Sequence, residues 1–207
     1  MRLPIALIVA LSLIACERES VEETAPAPAP VSAAPVAAST AAAPSMQVPA
    51  VTLDGDNIDI AFAGQTLRGE IRDSGKRKYS VAGGPVAWEV KPGDDGGFKL
   101  RTADGRLRWK VKVTPEKIKI SDNEENKNPY ELKVREGGRV KVFGPGEKEL
   151  GNVRFANSKI EVENAAGQKQ FEIPATSASG AYGVLLFDAI PPQERAILIA
   201  EILSRGR

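Results

Sequence analysis

The sequence predicts a mainly β protein: an antiparallel barrel of about twelve strands, made of three repeated units, with a buried hydrophobic C-terminal helix. Three observations carry this. Arg106-Leu107-Arg108-Trp109-Lys110-Val111-Lys112-Val113 alternates charged and apolar residues, the period of a strand with one buried face. Three segments share one pattern of strand, polar turn and alternating strand: GEIRDSGKRKYSV from Gly69, WKVKVTPEKIKIS from Trp109 and GNVRFANSKIEVE from Gly151. The chain then closes on an apolar run introduced by PPQER.

In chain order, the first element is a leader. Arg2 precedes an apolar run from Leu3 to Ile14 and the small residue Ala15, the layout of an export signal. The run is shorter than the roughly 20 residues that a spanning helix needs. Leu13-Ile14-Ala15-Cys16 ends it, and this stretch resembles the lipobox of bacterial lipoproteins. The resemblance implies cleavage before Cys16, a diacylglyceryl group on its thiol and an acyl chain on the new amine. One acyl chain holds a bilayer only marginally at about 0.8 kcal/mol per buried CH₂, whereas two signals hold stably. Cys16 is the sole cysteine, so disulfides are excluded and packing alone must hold the fold. Glu17 stands where the inner-membrane retention signal of such lipoproteins is usually Asp. The expected address is the periplasmic face of the outer membrane. A plain signal peptide or a membrane-buried segment with an incidental cysteine is the competing reading.

The next segment, 16–50, is rich in Ala and Pro and has no aromatic residue. It cannot bury enough apolar surface to offset its ordering entropy, which predicts a disordered tether. Prolines 26, 28, 30, 35, 44 and 49 argue against an Ala-rich helix.

The folded domain is read as 51–207. Alternation places Leu107, Trp109, Val111 and Val113 on one strand face and Arg106, Arg108, Lys110 and Lys112 on the other. Turn signals separate such runs at Gly83 to Pro85, Pro92 to Gly97, Ala103 to Gly105 and Gly144 to Gly146. Trp88-Glu89-Val90, Tyr130-Glu131-Leu132 and Phe171-Glu172-Ile173 follow the three repeated segments in turn. Residues 88–123 align without a gap on 130–165 at a spacing of 42. Phe98 to Thr102 and Val140 to Phe143 supply a further strand to the first two units. Sheets of this size tend to curl or close, and closure removes exposed edges. The same self-similarity also suits a propeller or a sandwich.

A helix is expected at about 192–204, opened by Pro192 and Glu194. Ala196 to Ala200, Ile202 and Leu203 cover nearly its whole circumference, the pattern of a helix buried in a core. Val184 to Phe187 fits a last strand or a first helical turn. These features, with the rhythm around Asp104 to Lys112 and Glu147 to Arg154, resemble the tubby C-terminal-like superfamily, which includes LURP-one-related and scramblase-like proteins. The resemblance covers roughly 69–203. Glu201 inside the helix, the spacer and the lipobox depart from it.

The chain contains no histidine, which removes the commonest general base and every Ser-His or Cys-His pair. No nucleophile motif appears; Thr176 to Gly180 lacks the first glycine of a nucleophile elbow. Gly69 to Lys76 fails as a phosphate loop, with Arg77 where Ser or Thr is needed. The expectation is a non-enzymatic protein with no metal and no cofactor beyond the covalent lipid on Cys16. Acidic stretches at Asp54, Asp56 and Asp59, and at Asp122, Glu124 and Asn126, read as turn chemistry rather than calcium loops.

The candidate binding residues are Arg106, Arg108, Lys110, Lys112, Lys117 and Lys119, flanked by Lys99 and Arg101, in a chain whose net charge is only +1. Each such residue adds about 1 kcal/mol of attraction near an anionic lipid surface, and the tubby-like resemblance implies acidic phospholipid binding. A solvated strand face balanced by neighbouring acids is the plainer account. Expected partners are the membrane through the anchor, and an anionic phospholipid or a periplasmic protein; nucleic acid is not expected for an exported chain. A protein-binding or inhibitor module is the alternative, and a carboxylate-based enzyme the third.

Overall fold

A computed structural model describes residues 47–93 and 95–206; the leader, Cys16 and the tether lie outside the described residues. Thirteen strands follow one another in a single antiparallel meander, each pairing with its chain neighbours. They are β1 (Ala50–Asp54), β2 (Asn57–Phe62), β3 (Gln65–Ile71), β4 (Arg77–Val81), β5 (Val86–Pro92), β6 (Phe98–Thr102) and β7 (Leu107–Val113). The meander continues through β8 (Lys117–Ser121), β9 (Tyr130–Val134), β10 (Val140–Phe143), β11 (Glu149–Ala156), β12 (Lys159–Asn164) and β13 (Lys169–Pro174). Among the described residues no ladder joins β13 to β1. The sheet is therefore open in its hydrogen bonding, where a closed barrel was expected. Pro174, which has no N–H to offer, ends β13 at that edge.

Alternation sorts the strands as period-2 sequences must. Ile58, Ile60, Leu67, Tyr79, Val90, Phe98, Leu100, Trp109 and Val111 are buried from the first half of the sheet. Ile118, Ile120, Leu132, Val142, Val153, Ile160, Val162 and Ile173 follow from the second. All belong to one core cluster with α1 (Pro192–Leu203), whose residues from Glu194 to Ile202 are all buried. The C-terminal helix is thus buried in the same core as the inner face of the sheet. Pro192 sits in the first turn, where its missing N–H costs nothing. Val184 to Phe187, left open between strand and helix, falls in and just after a 3-10 helix, Ala181–Leu186. Arg195 ties it to α1 by donating to the Leu185 carbonyl at 3.2 Å. Gly183 lets it lie against β9 and β10, because a Cβ there would come within 2.7 Å of Leu132 Cδ2 and 3.0 Å of Val142 Cγ2.

Strand β7 departs from strict alternation, and this corrects the assignment of its faces. Leu100 pairs with Trp109 but Arg101 pairs with Leu107, so Arg108 is the extra residue of a β-bulge. A bulge re-aims a side chain. Arg108 turns from the outer face to the helix, and Leu107, opposite the outward Arg101, lies outside the core cluster. A second bulge leaves Leu150 unpaired between Val142↔Gly151 and Phe143↔Glu149, and Leu150 packs against the core.

Candidate functional site

The outer face of β5 to β10 gathers lysines into rows that cross the strands. In register, Lys91 lies opposite Lys99 and Lys99 opposite Lys110. Lys112 lies opposite Lys119. Lys117, Lys133 and Lys141 occupy successive strands β8, β9 and β10 directly across from one another. Like charges directly opposite across an antiparallel pair destabilise a sheet, so these rows need counter-charge.

Three glutamates supply part of it. Glu124, in the β8–β9 loop, reaches Lys99 at 2.7 Å, Arg101 at 3.2 Å and Lys110 at 3.6 Å. The hydrogen bond from Lys99, helped by the charges of Lys99, Lys110 and Arg101, holds the Glu124 carboxyl below its usual range. Glu131 lies between Lys119 at 3.0 Å and Lys133 at 2.6 Å. Partial burial would raise its pKa, but the two lysines outweigh that and lower it. Glu149 takes Lys141 at 3.0 Å. Lys91, Lys112 and Lys117 have no ion-pair partner among the described residues. The engagement of Glu124 with three cations also explains the Asp122 to Asn126 stretch. Its polar groups are used in turn contacts such as Asn123 Oδ1 with the Lys127 N–H at 2.8 Å, and Ser121 donates to Asn126 at 2.8 Å.

Of the six sequence-predicted cations, the structure brings Lys110, Lys112, Lys117 and Lys119 to this face. Arg106 is exposed in the β6–β7 turn and its carbonyl accepts from the Thr102 N–H. Arg108 leaves the group: its Nε donates to Glu194 Oε1 at 2.8 Å and its Nη2 to Oε2 at 3.3 Å. The Trp109 indole N–H donates to the same carboxylate. Glu194 is buried, so Arg108 and Trp109 together satisfy a charge at the start of α1. Lys91, Lys133 and Lys141 were missed. The signal was present, because the 42-residue self-alignment places Lys91 on Lys133 and Lys99 on Lys141.

A second internal anchor holds the other end of the helix. Glu201, fully buried, accepts from Arg77 at 2.7 Å, from the Tyr79 hydroxyl at 2.8 Å and from Arg205 one turn on. Burial and the neighbouring carboxylate push the Tyr79 hydroxyl far above its usual pKa. Arg77 is held protonated, because attraction to Glu201 outweighs its desolvation. These buried groups are consumed in holding α1 to β4 and β7, and none of them opens onto the lysine face.

Among the described residues no group of three or more acidic, histidine or cysteine side chains is placed to hold a metal ion, and no helix is long and apolar enough to cross a membrane. Comparison with protein-family models, curated proteins and solved structures gives no match.

Proposed function

We propose that this chain is a lipid-anchored, non-enzymatic lipoprotein of the bacterial envelope, held through Cys16 at the periplasmic face of the outer membrane. Its β domain presents the lysine face of β5–β10 to an anionic lipid surface. The observation that carries this reading is the row Lys117–Lys133–Lys141, three ammonium groups at directly opposed positions on adjacent strands. Glu131 and Glu149 offset Lys133 and Lys141, while Lys117 has no ion-pair partner among the described residues. An anionic surface relieves the repulsion and adds about 1 kcal/mol per cation near it. The buried helix and the anchoring glutamates support a rigid platform for that face rather than a reactive centre.

On this reading the domain is a curled, barrel-like wall of three units, as the tubby-like resemblance implies. Two bulges support the repetition, since Arg108 and Leu150 are the extra residues of β7 and β11 and stand 42 positions apart.

The test is cosedimentation of the full chain with vesicles of increasing anionic content at low and high salt, beside a variant with Lys112, Lys117, Lys133 and Lys141 all reversed to Glu. Binding that tracks anionic lipid and disappears on reversal or at high salt supports the reading, because exposed charges are screened within about 10 Å at 0.1 M salt. Binding insensitive to both would leave the lysine face without this role.

A further inference from the structure

We infer that the cavity beside Lys117 takes the apolar end of an anionic amphiphile whose headgroup rests on that lysine. The inference rests on the anionic-surface reading and names what the face recognises. The cavity, about 240 Å³ in volume, lies where the β7–β8 turn and the β9–β10 loop meet residues 178–180 and Gly206. Ile118, Leu132, Val134 and Val140 give it apolar walls, and Lys117 is the one charged residue among the described residues lining it. Lys117 has no ion-pair partner among the described residues, while its cross-strand neighbour Lys133 is held by Glu131.

Two features give the occupant its chemistry. Val134 is 47% exposed at the end of β9 although its neighbours in the wall, Ile118, Leu132 and Val140, belong to the core. An alkyl chain crossing Val134 would cover apolar surface that the fold leaves wet, which is favourable in proportion to the area removed from water. Lys117, which lines the cavity, has no ion-pair partner among the described residues, and it also begins the outer row that continues to Lys133 and Lys141. One molecule with a phosphate or carboxylate head and an apolar tail answers both. The cavity falls below the roughly 300–1,000 Å³ of drug-sized pockets, so it fits a chain end or a short amphiphile and not a whole lipid.

The experiment is calorimetric titration of the full chain with decyl phosphate below its micelle concentration, with inorganic phosphate and decyl maltoside as comparison probes. The expected result is saturable one-to-one binding of decyl phosphate with a negative heat-capacity change, and much weaker binding of inorganic phosphate. Val134→Glu, at a half-exposed position, should weaken decyl phosphate at least tenfold while vesicle cosedimentation is retained. Lys117→Ala should weaken decyl phosphate but leave decyl maltoside unchanged, which separates head from tail. Absence of saturable binding, or binding indifferent to both substitutions, overturns the inference. Loss of vesicle binding on reversing the lysine rows' outer members alone, Lys133 and Lys141, would support the surface reading independently of the cavity. Retention of decyl phosphate binding in a chain that ignores anionic vesicles would overturn that surface reading and leave the cavity site standing.

Discussion

The Tyr79 hydroxyl donates to Glu201 at 2.8 Å, joining the middle of β4 to the last turn of α1 where neither residue meets solvent. The contact depends on Gly69, the residue directly across from Tyr79 on β3. A Cβ at position 69 would stand 2.5 Å from Tyr79 Cε1 and 2.9 Å from Arg77 Cδ. Glycine here therefore lets the tyrosine ring and the arginine stem lie flat on the strand while both heads reach the helix.

Removing the carboxylate should be costly. Glu201→Ala leaves Arg77 and Arg205 facing each other without a counter-charge, and breaking a buried ion pair by removing one partner costs about 3–5 kcal/mol. Tyr79→Phe leaves the carboxylate satisfied by two guanidinium groups and should cost about 1–3 kcal/mol. Gly69→Val should approach the first effect without touching any charge, because it displaces Tyr79 and Arg77 together. Denaturant midpoints of the three variants, compared at constant slope, check this order.

The same contact gives the fold a sensitivity to alkali. Burial first, and the Glu201 charge second, raise the Tyr79 pKa above its unfolded value of about 10. A group with a raised folded pKa contributes stability that is complete below the unfolded pKa and is lost as pH rises above it. The domain should thus lose stability above about pH 10, and Tyr79→Phe should flatten that part of the profile. A profile of equal slope in both proteins would assign the alkaline loss to other groups.

Much of this architecture was legible because it obeys simple periods. The two-residue alternation of 107–113, the turn signals and the apolar circumference of 196–203 each state where a residue must face. Arg108 was misread because a bulge is a matter of pairing register between two strands, and the alternation of β7 alone carries no record of β6. Glu194 and Glu201 interrupt the apolar circumference of the helix. Their partners Arg108, Trp109, Arg77 and Tyr79 come from strands more than 80 residues away, and no local pattern announces them. Closure of the sheet was inferred from strand number, which limits how far a sheet stays flat but does not make its two edges meet.

The bulge at Arg108 makes a sharper prediction about helix anchoring. Arg108 and Trp109 share Glu194, so their contributions should not add. Trp109→Phe removes an indole N–H from a buried carboxylate and should cost about 1.5–3 kcal/mol. Arg108→Leu copies the residue at the second bulge, Leu150, and keeps apolar packing while removing the charge. In a double-mutant cycle the pair should show a coupling of about 0.5–3 kcal/mol. Strict additivity would mean that one of the two contacts is not made in solution.

Glu124 offers a test in which weakening an interaction should strengthen function. Its carboxylate gathers Lys99, Arg101 and Lys110, and the hydrogen bond from Lys99 lowers its pKa below the usual range. The group is largely exposed, so these ion pairs add little to stability, and Glu124→Gln should leave the denaturant midpoint nearly unchanged. The substitution does remove one negative charge from the centre of the lysine face. A unit of charge near an anionic surface is worth about 1 kcal/mol, so binding to anionic vesicles should rise about fivefold. The gain should shrink as salt is added, because the released lysines are exposed and screened. Glu201→Gln alters charge in the core and should give no such gain, which separates a local effect on the face from a change in net charge alone. If Glu124→Gln leaves vesicle affinity unchanged at low salt, Lys99, Arg101 and Lys110 do not meet the anionic surface, and the contact would have to lie with Lys112, Lys117, Lys133 and Lys141.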